Sequence, residues 1–597
     1  MTLIDLAKNF LRAHKWQVVA LFLCQIGQVL LSLWLPAINA RIIDEGIIPQ
    51  NTSLIWQQGI IMLIVSLLQI SLLATAAYLA SRIAMSFGKD LRSQIFRKVQ
   101  NFSEIERQEF GAPTLITRAT NDVVQIQMVL LFSFVIMIIA PIMGIGGIIM
   151  ALAQDRYLSI LLVIMVPLLA LIIGVVMAML IPRYQIQQKR IDRINTLLRE
   201  QLSGVRVIRA FGREGYLQEK FATASGKLRQ VGLQIGWLWA FLIPSTSLIV
   251  GWSSAGVLWL GASRIAAGKM QIGALTAYIT YLLLIFFSVM AAGMMAMVLP
   301  RGEVSARRIK EILEIQPAIA SPLHPQPLPA QPHSLQLRKV SLQYPQAEAA
   351  VLQNIDFTVQ PGKIYGIIGS TGAGKSSLLR LLPRLIDPSA GEIYLGNIPL
   401  TKFALPELRQ KIAYVPQKAF LFSGSIASNI AGSLPGSSAA ARQYAVSIPR
   451  IKKALHIAGA DFVEKLPNGI ESKVESSGSN FSGGQRQRLS IARAVYRCLS
   501  DTNGENAADF LLLDDSFSAL DYATEAAIRK NLRQELSHIG IVIVAQRVAS
   551  IQAAEEIIVL ESGKIAGRGT HAELLATCRI YQEIVDSQGA AAEEENE

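Results

Sequence analysis

The chain has 597 residues, of which 51% are hydrophobic, and its mean hydropathy is +0.38. This length exceeds that of one domain, and this hydropathy excludes an ordinary soluble protein. The formal net charge of +13 is compatible with nucleic-acid binding. In a membrane protein, however, an excess of lysine and arginine is typical of cytoplasmic loops, and we predict no nucleic-acid partner.

The N-terminal stretch MTLIDLAKNFLRAHKW is amphipathic and basic, without the pattern of a cleavable signal. We predict that it forms a helix on the inner surface of the membrane. Six apolar blocks follow, each long enough to cross a lipid bilayer as a helix. They cover residues 18–38, 60–80, 129–153, 157–181, 235–262 and 274–299.

The gaps after the second and fourth blocks keep apolar residues at helical spacing, which indicates that the membrane helices continue into the water. Residues 182–234 contain 11 lysines and arginines but only 4 acidic residues. This bias places the long gaps and both termini in the cytoplasm. We therefore predict a multi-pass protein of the cell inner membrane.

The last apolar block is rich in flexible and aromatic side chains, namely Phe286, Phe287, Met290, Met294, Met295 and Met297. Such side chains suit a site that repacks around varied ligands, which favours a small apolar or amphiphilic substrate. Ordinary helix packing is an alternative explanation for the same residues.

Five prolines in the stretch SPLHPQPLPAQPHS indicate an extended linker. We divide the chain into a transmembrane domain (1–320), this linker (321–336), a soluble domain (337–585) and an acidic, disordered tail (586–597).

The soluble domain opens with a phosphate-binding pattern. In KIYGIIGSTGAGKSSLLRLL an apolar strand leads into G-x-x-x-x-G-K-S and then a helix. Glycines let the backbone N–H groups surround phosphate oxygens, while Lys375 reaches the β and γ phosphates and Ser376 ligates Mg²⁺. Asp514, which ends the buried strand FLLLD, supplies a carboxylate on the Mg²⁺ side as a second ligand beside Ser376. The candidate loop residues are Gly369, Ser370, Thr371, Gly372, Ala373, Gly374, Lys375, Ser376 and Ser377.

Between these two motifs lies FSGGQRQRLSIARA, residues 481–494, which is similar to the LSGGQ signature of ATP-binding-cassette (ABC) proteins. The whole chain resembles one half of an exporter-type ABC transporter. The resemblance implies an all-α, six-helix transmembrane domain fused to an α/β P-loop NTPase domain. It also implies ATP and Mg²⁺ as cofactors, a lipid bilayer as environment and a second half-transporter as partner.

The resemblance further implies roles for single residues. Tyr344 resembles the aromatic residue that stacks on adenine, and Gln417 the glutamine that contacts Mg²⁺ and senses the membrane domain. The signature would contact the ATP bound to the opposite domain, and SALD would cross the dimer interface. SEIERQEF and GREGYLQEKF would be the coupling helices. The residues concerned are Ser482, Gly483, Gly484 and Gln485 of the signature, and Ser518 and Asp521 of SALD.

Two positions depart from the family pattern. Asp515 stands where the family has a glutamate that orients the attacking water, and Gln546 stands where it has a histidine. The segment VESSGSN before the signature also differs from the usual GERG-like wording. An aspartate withdraws the carboxylate by roughly 1.5 Å, one C–C bond, and a glutamine cannot supply a positive charge to the transition state.

The interpretation is a degenerate-site subunit of a heterodimeric exporter. This chain binds ATP at a weakened site and lends its signature to the competent site of the partner. The alternatives are a homodimeric, fully active exporter and a non-transporting regulatory ABC membrane protein.

Overall fold

The computed structural model describes residues 2–329, 333–345, 347–432, 447–500 and 507–594, and of residues 296, 297 and 589–594 only the backbone. The chain folds into two compact units. The first comprises Met1–Gln100 and Gly111–Ile315, and the second comprises Asn101–Phe110 and Gln316–Glu597.

The described residues up to Glu314 form helices joined by short turns. The helices are α1 (Thr2–Ala13), α2 (Lys15–Arg41), α3 (Thr52–Gln100), α4 (Glu104–Phe110), α5 (Ala112–Thr117), α6 (Val123–Phe132), α7 (Ile138–Gln154), α8 (Ile160–Ser203), α9 (Val205–Ala210), α10 (Glu214–Ala266) and α11 (Ile272–Glu314). All belong to the first unit except α4, which belongs to the second.

Six of the helical stretches that the structure describes are long and apolar enough to cross a membrane, which confirms the predicted number of spans. They are Lys15–Ile47, Thr52–Gln100, Ala112–Gln154, Ile160–Ser203, Glu214–Ala266 and Ile272–Glu314. As predicted, the helices extend beyond the apolar blocks, so α3 continues for a further 20 residues after position 80. The extensions of α8 and α11 begin with Pro182 and Pro300, which lie inside these helices without ending them.

Two polar side chains of the spanning helices form hydrogen bonds to a neighbouring helix. The Gln25 side chain, 1% exposed, donates from Nε2 to the Phe134 carbonyl at 3.1 Å. The Tyr281 hydroxyl donates to the Leu33 carbonyl at 3.0 Å. In hydrocarbon such groups have no water to bond, so these contacts link neighbouring helices.

A buried carboxylate joins the α7–α8 turn to the end of α10. Asp155 Oδ1 accepts from the backbone N–H groups of Tyr157 and Leu158 at 2.8 and 3.0 Å. Its Oδ2 accepts from Arg264 Nε at 2.8 Å, and the Asp155 side chain is 5% exposed.

We expect Asp155→Ala to lower the free energy of unfolding by about 2 kcal/mol, because it leaves a guanidinium and two backbone donors without their acceptor. Thermal unfolding of the detergent-solubilised chain measures this loss. Asp155→Asn, which keeps an acceptor for the turn, is the matched control and is expected to lose less. An unchanged melting temperature in Asp155→Ala would contradict the assignment.

The second unit is an α/β domain. Its strands are β1 (Leu335–Leu342), β2 (Leu352–Val359), β3 (Ile364–Gly369), β4 (Ala390–Leu395), β5 (Ile398–Pro399), β6 (Ile412–Val415), β7 (Gly424–Ser425), β8 (Lys473–Val474), β9 (Phe510–Asp514), β10 (Gly540–Val544), β11 (Glu556–Glu561) and β12 (Lys564–Gly569). Its further helices are α12 (Lys375–Leu381), α13 (Leu405–Gln410), α14 (Ile426–Ala431), α15 (Ile448–Ile457), α16 (Gly483–Cys498), α17 (Tyr522–Glu535), α18 (His571–Thr577) and α19 (Arg579–Glu594).

The central sheet has the order β12-β11-β3-β10-β9-β6. Its strands are parallel except β12, which pairs antiparallel with β11 at one edge. Every residue of β9 is buried, as the apolar run FLLLD predicts. A second, antiparallel sheet has the order β2-β1-β4-β5, and β7 pairs with β8 alone.

The ends of the soluble domain differ from their predicted outlines. Strand β1 begins at Leu335, inside the predicted linker, and Gln326 of that linker forms a bridge with Phe403. Helix α19 reaches Glu594, so residues 586–594 are helical where a disordered tail was expected, because alanine and glutamate favour helix. The last three residues of that tail lie outside the described residues.

Candidate active site

The carboxyl ends of four parallel strands deliver the candidate residues to one edge of the central sheet, where ligands bind in open α/β folds. The loop after β3 contains the glycine-rich motif, while β6, β9 and β10 lead to Gln417, Asp515 and Gln546. These residues surround a cavity of about 360 Å³. The cavity is lined by Val351, Thr371, Gly372, Ala373, Gly374, Lys375, Ser376, Ser377, Gln417, Asp515, Val544 and Gln546.

The loop after β3 depends on glycine at two positions. Gly369 and Gly374 have φ values of 155° and 97°. A Cβ atom on Gly369 would lie 2.0 Å from the Leu560 carbonyl oxygen, and one on Gly374 would lie 2.7 Å from Leu352 Cδ2. Glycine is therefore required both for the backbone conformation and for the close packing of the loop.

Lys375, the cation of this loop, is bonded to backbone carbonyl groups of the same loop. Lys375 Nζ donates to the carbonyl oxygens of Gly369 and Ser370 at 2.6 and 2.8 Å. Burial lowers the pKa of Lys375, while the carboxylates of Asp515 and Asp514 act in the opposite direction. A lysine in this position is placed to pair with phosphate oxygens in the cavity.

The predicted Mg²⁺ ligands lie together. Ser376 Oγ donates to Asp514 Oδ1 at 2.8 Å, and Asp514 is 1% exposed. A hydroxyl, a carboxylate and the nearby Gln417 amide form the oxygen donor set that Mg²⁺ prefers when phosphates complete its coordination. The residues present therefore fit the ion, which when bound neutralises charge that develops on the phosphates.

Tyr414, which the sequence analysis missed, completes the surroundings of Asp514. Its hydroxyl donates to Asp514 Oδ2 at 3.0 Å. Burial, together with the charge of Asp514, raises the pKa of Tyr414, so the hydroxyl remains a neutral donor at neutral pH. The one available signal is its position on β6, three residues before Gln417.

Tyr414→Phe is expected to weaken MgATP binding about fivefold, because it removes one hydrogen bond of roughly 1 kcal/mol from a buried carboxylate. Equilibrium binding of ATP with and without Mg²⁺ measures the effect, which should be confined to the Mg²⁺ condition. Tyr344→Phe, which also loses only a hydroxyl, serves as the control. Equal affinities for Tyr414→Phe and the unmodified chain would contradict this role.

Asp515 has an unusual backbone conformation, with φ at 47°. Its N–H group donates to the Val544 carbonyl at 3.1 Å, and its carbonyl accepts from Ser518 Oγ at 2.9 Å. Non-glycine residues in this region carry strain that is stored preferentially at functional sites. These two bonds fix the direction in which the Asp515 side chain points.

One oxygen of Asp515 accepts from both flanking glutamines. The distances to Oδ2 are 2.7 Å from Gln546 Nε2 and 3.2 Å from Gln417 Nε2. Burial raises the pKa of Asp515, and the two amide hydrogen bonds act against that rise. The Asp515 carboxylate therefore accepts hydrogen bonds from two neutral side-chain amides.

Other predicted residues lie outside this cavity. Tyr344 shares a hydrogen bond with Ser377, with 3.1 Å between its hydroxyl and Ser377 Oγ, but it is not among the described residues that line the cavity. Its role on adenine stays a prediction.

The signature forms a separate, partly exposed surface. Ser482 and Gln485 form a capping box at the start of α16, at 3.0 and 3.2 Å. Among the described residues that line the cavity there is none from 482–485. Asp521 caps α17 by accepting from the Thr524 N–H at 3.0 Å, a bond that lowers the pKa of Asp521. Their role at the ATP site of another chain stays a prediction.

The two segments predicted as coupling helices belong to different units of the chain. SEIERQEF contains α4 in the second unit, where Glu106 accepts from the N–H groups of Ser103 and Ala318 at 2.6 and 2.8 Å. Burial opposes ionisation of Glu106, but hydrogen bonds from Ser103 and Ala318 outweigh it and lower the pKa. GREGYLQEKF belongs to the first unit and begins α10, with Tyr216 61% exposed.

Comparison with known proteins gives a consistent assignment for both units. Residues 18–289 match the ABC transporter transmembrane region, and residues 352–517 match the ABC transporter family. An uncharacterized ABC transporter ATP-binding protein of Mycobacterium tuberculosis is 40% identical over 593 residues, 99% of each chain. The multidrug resistance-like ATP-binding protein MdlA of Escherichia coli is 30% identical over 522 residues, 86% of this chain and 85% of MdlA. A bacterial Atm1-family ABC exporter with ATP bound has the same fold, with a TM-score of 0.76 and 21% identity over 97% of this chain and 98% of that one.

Proposed function

The chain belongs to the ABC transporter family, with an exporter-type membrane unit and an ATP-binding unit in one polypeptide, and we propose that it is the degenerate-site half of a heterodimeric exporter. ABC transporters couple ATP hydrolysis to movement of a substrate across a membrane, and the exporter fold of this chain supports ATP-driven export. The finer proposal is that one ATP site of the dimer hydrolyses ATP and the other mainly retains it.

One observation carries the proposal. At the two positions that act on the attacking water and the γ-phosphate, this chain has Asp515 and Gln546, whose side chains bond each other at 2.7 Å. Gln546 is neutral at every pH and cannot supply the positive charge that stabilises the transition state. A displacement of the carboxylate by about 1 Å can cost on the order of 100-fold in rate.

The nucleotide-binding parts of the site have no comparable substitution. The glycine loop, Lys375, Ser376 and Asp514 have the residues and contacts that hold a nucleotide and its Mg²⁺. The signature helix α16 is capped and accessible for a second chain. We therefore propose that ATP at this chain's own site stays bound and keeps the two domains in contact, while Ser482–Gln485 complete the competent site of the partner.

The proposed cycle is alternating access. ATP binding closes the two nucleotide domains head to tail, the coupling segments transmit this closure and the membrane halves open outward. Hydrolysis at the competent site resets the pair. The termini and long loops would lie in the cytoplasm and the spans in the inner membrane, in accord with the basic residues of 182–234.

The proposed substrate is a small apolar or amphiphilic molecule. Of the flexible side chains on α11, Phe287 and Met294 are exposed by 64% and 47%, whereas Met295 is buried and Phe286 packs against the bundle core. Met297 lies outside the described side chains. The exposed members are available for an apolar ligand.

The deciding experiment counts nucleotides. The chain is purified together with a candidate partner, an ABC half-transporter that has the catalytic glutamate and the histidine, then loaded with labelled ATP and followed through a single turnover. We expect one ATP per dimer to remain unhydrolysed, and turnover to collapse when the partner's catalytic glutamate is replaced by glutamine. Rapid hydrolysis by this chain alone, abolished by Asp515→Asn, would instead establish the homodimeric exporter.

A second measurement distinguishes a transporter from a regulatory, non-transporting protein. ATP turnover of the reconstituted pair should rise with added apolar compounds, and those compounds should accumulate inside inverted vesicles. Turnover without accumulation would favour the regulatory alternative.

A further inference from the structure

Helices α8 and α10 pack tightly at one level and separate at another. Apolar side chains, among them Ile173, Leu180, Ile235 and Leu242, hold the helices together at the first level. Nearer to α9, the connection between the two helices, a cavity of about 390 Å³ opens between them.

The walls of this cavity are strongly basic. Arg190 and Arg193 face it from α8, and Lys220 and Lys227 face it from α10, with Glu219 as the one acidic residue in its lining. Within the described part of the chain, these four cations have no ion pair or side-chain hydrogen bond to another residue. Four positive charges around one small space repel one another, and an anion placed among them removes that repulsion.

The position of the cavity along the helices bears on the source of the anion. Arg190 follows the end of the fourth apolar block, at position 181, by nine residues, which corresponds to about 14 Å of helix. The headgroup layer extends only about 5–8 Å beyond the hydrocarbon core on each side. The basic residues therefore lie deeper in the water than a lipid phosphate.

We propose that the cavity between α8 and α10 binds a water-soluble polyanion that bears two or more phosphate groups. The number of cations exceeds what one phosphate needs, and a volume of about 390 Å³ is in the range of small-ligand sites. Such a ligand bridges the two helices close to α9 and stiffens the segment that GREGYLQEKF begins. The site is independent of the ATP cavity and of the proposed division of work between two chains.

Inorganic tripolyphosphate is the probe. The full chain in nanodiscs of neutral lipid is treated with an amine-acylating reagent, and modification of Lys220 and Lys227 is quantified by mass spectrometry. We expect tripolyphosphate to protect both lysines, and Arg190→Ala/Arg193→Ala to raise the protecting concentration at least tenfold. Salt should weaken protection, since the Debye length falls from about 10 Å at 0.1 M to about 3 Å at 1 M.

The matched control is Arg199→Ala/Arg229→Ala, which removes the same charge from positions that do not line the cavity. It should shift the protecting concentration by less than twofold. Equal shifts in both double variants would show a general charge effect and overturn the site. Protection by anionic phospholipid in the nanodisc, but not by tripolyphosphate, would assign the phosphate to a lipid headgroup and overturn the soluble source. Protection of both lysines by a co-purified partner chain without tripolyphosphate would show that the dimer covers the cavity, and this result would also overturn the site.

Discussion

Gly484→Asp in this chain is expected to lower the ATP turnover of the purified pair by about 100-fold or more, the loss typical of removing a transition-state donor. Lys375→Ala in the same chain should lower turnover by about fivefold or less, because it disables a site that contributes little hydrolysis. The two variants lie in one polypeptide, yet each reports on a different ATP site.

The physical reason lies at the start of α16. The capping box uses the N–H groups of Ser482 and Gln485. It does not use those of Gly483 and Gly484, which are therefore available to a phosphate. A Cβ atom on Gly484 would lie 3.1 Å from the Ala519 carbonyl oxygen, so an added side chain crowds the segment before α17. A carboxylate there also repels the phosphate that the positive end of the helix dipole would attract.

Steady-state hydrolysis by the co-purified pair is the measurement, and ATP retained at this chain's own site is the folding control for Gly484→Asp. A fall of similar size in Lys375→Ala and Gly484→Asp would mean that both sites hydrolyse, which contradicts the degenerate-site proposal. Unchanged turnover in Gly484→Asp would show that this signature does not complete the active site of the pair.

Local sequence patterns predicted much of this architecture. The six spans follow from uninterrupted apolar length, and the strand FLLLD from its apolar run before an aspartate. The loop from Gly369 to Lys375 follows from glycines whose spacing a phosphate requires, and the structure shows the clashes that any other residue would cause at Gly369 and Gly374. In each case the information lies within about twenty consecutive residues.

What the sequence did not predict depends on residues that are far apart in the chain. Tyr414 reaches Asp514 across 100 positions, and Glu106 reaches Ala318 across 212. The basic residues of 182–234 were read only as a cytoplasmic bias, whereas four of them converge on one cavity between two helices. These contacts arise from the tertiary packing of separate elements. The hydrophobic periodicity of a short stretch of sequence carries no information about them.

The backbone conformation and hydrogen bonds of Asp515 add to the prediction made for this residue. The sequence predicts a carboxylate that lies farther from the attacking water than a glutamate would, and the backbone φ of 47° adds a constraint on this residue. Aspartate tolerates this left-handed conformation better than longer side chains do. Its Oδ2 is bonded to both Gln417 and Gln546, so restoring a glutamate alone would leave the neutral amide of Gln546 at the same place.

The combined change Asp515→Glu with Gln546→His is therefore expected to restore hydrolysis at this chain's own site, with a single-turnover rate about 100-fold above that of the unmodified site. The glutamate extends the carboxylate by one methylene, and the histidine replaces an amide that cannot be charged with a ring that can. Retained ATP should fall from one per dimer to none. Asp515→Glu alone should gain less, because the φ of 47° disfavours the longer residue and the amide remains. If the unmodified site already turns over as fast as the double variant, then Asp515 and Gln546 are competent substitutes and both halves of the pair hydrolyse ATP.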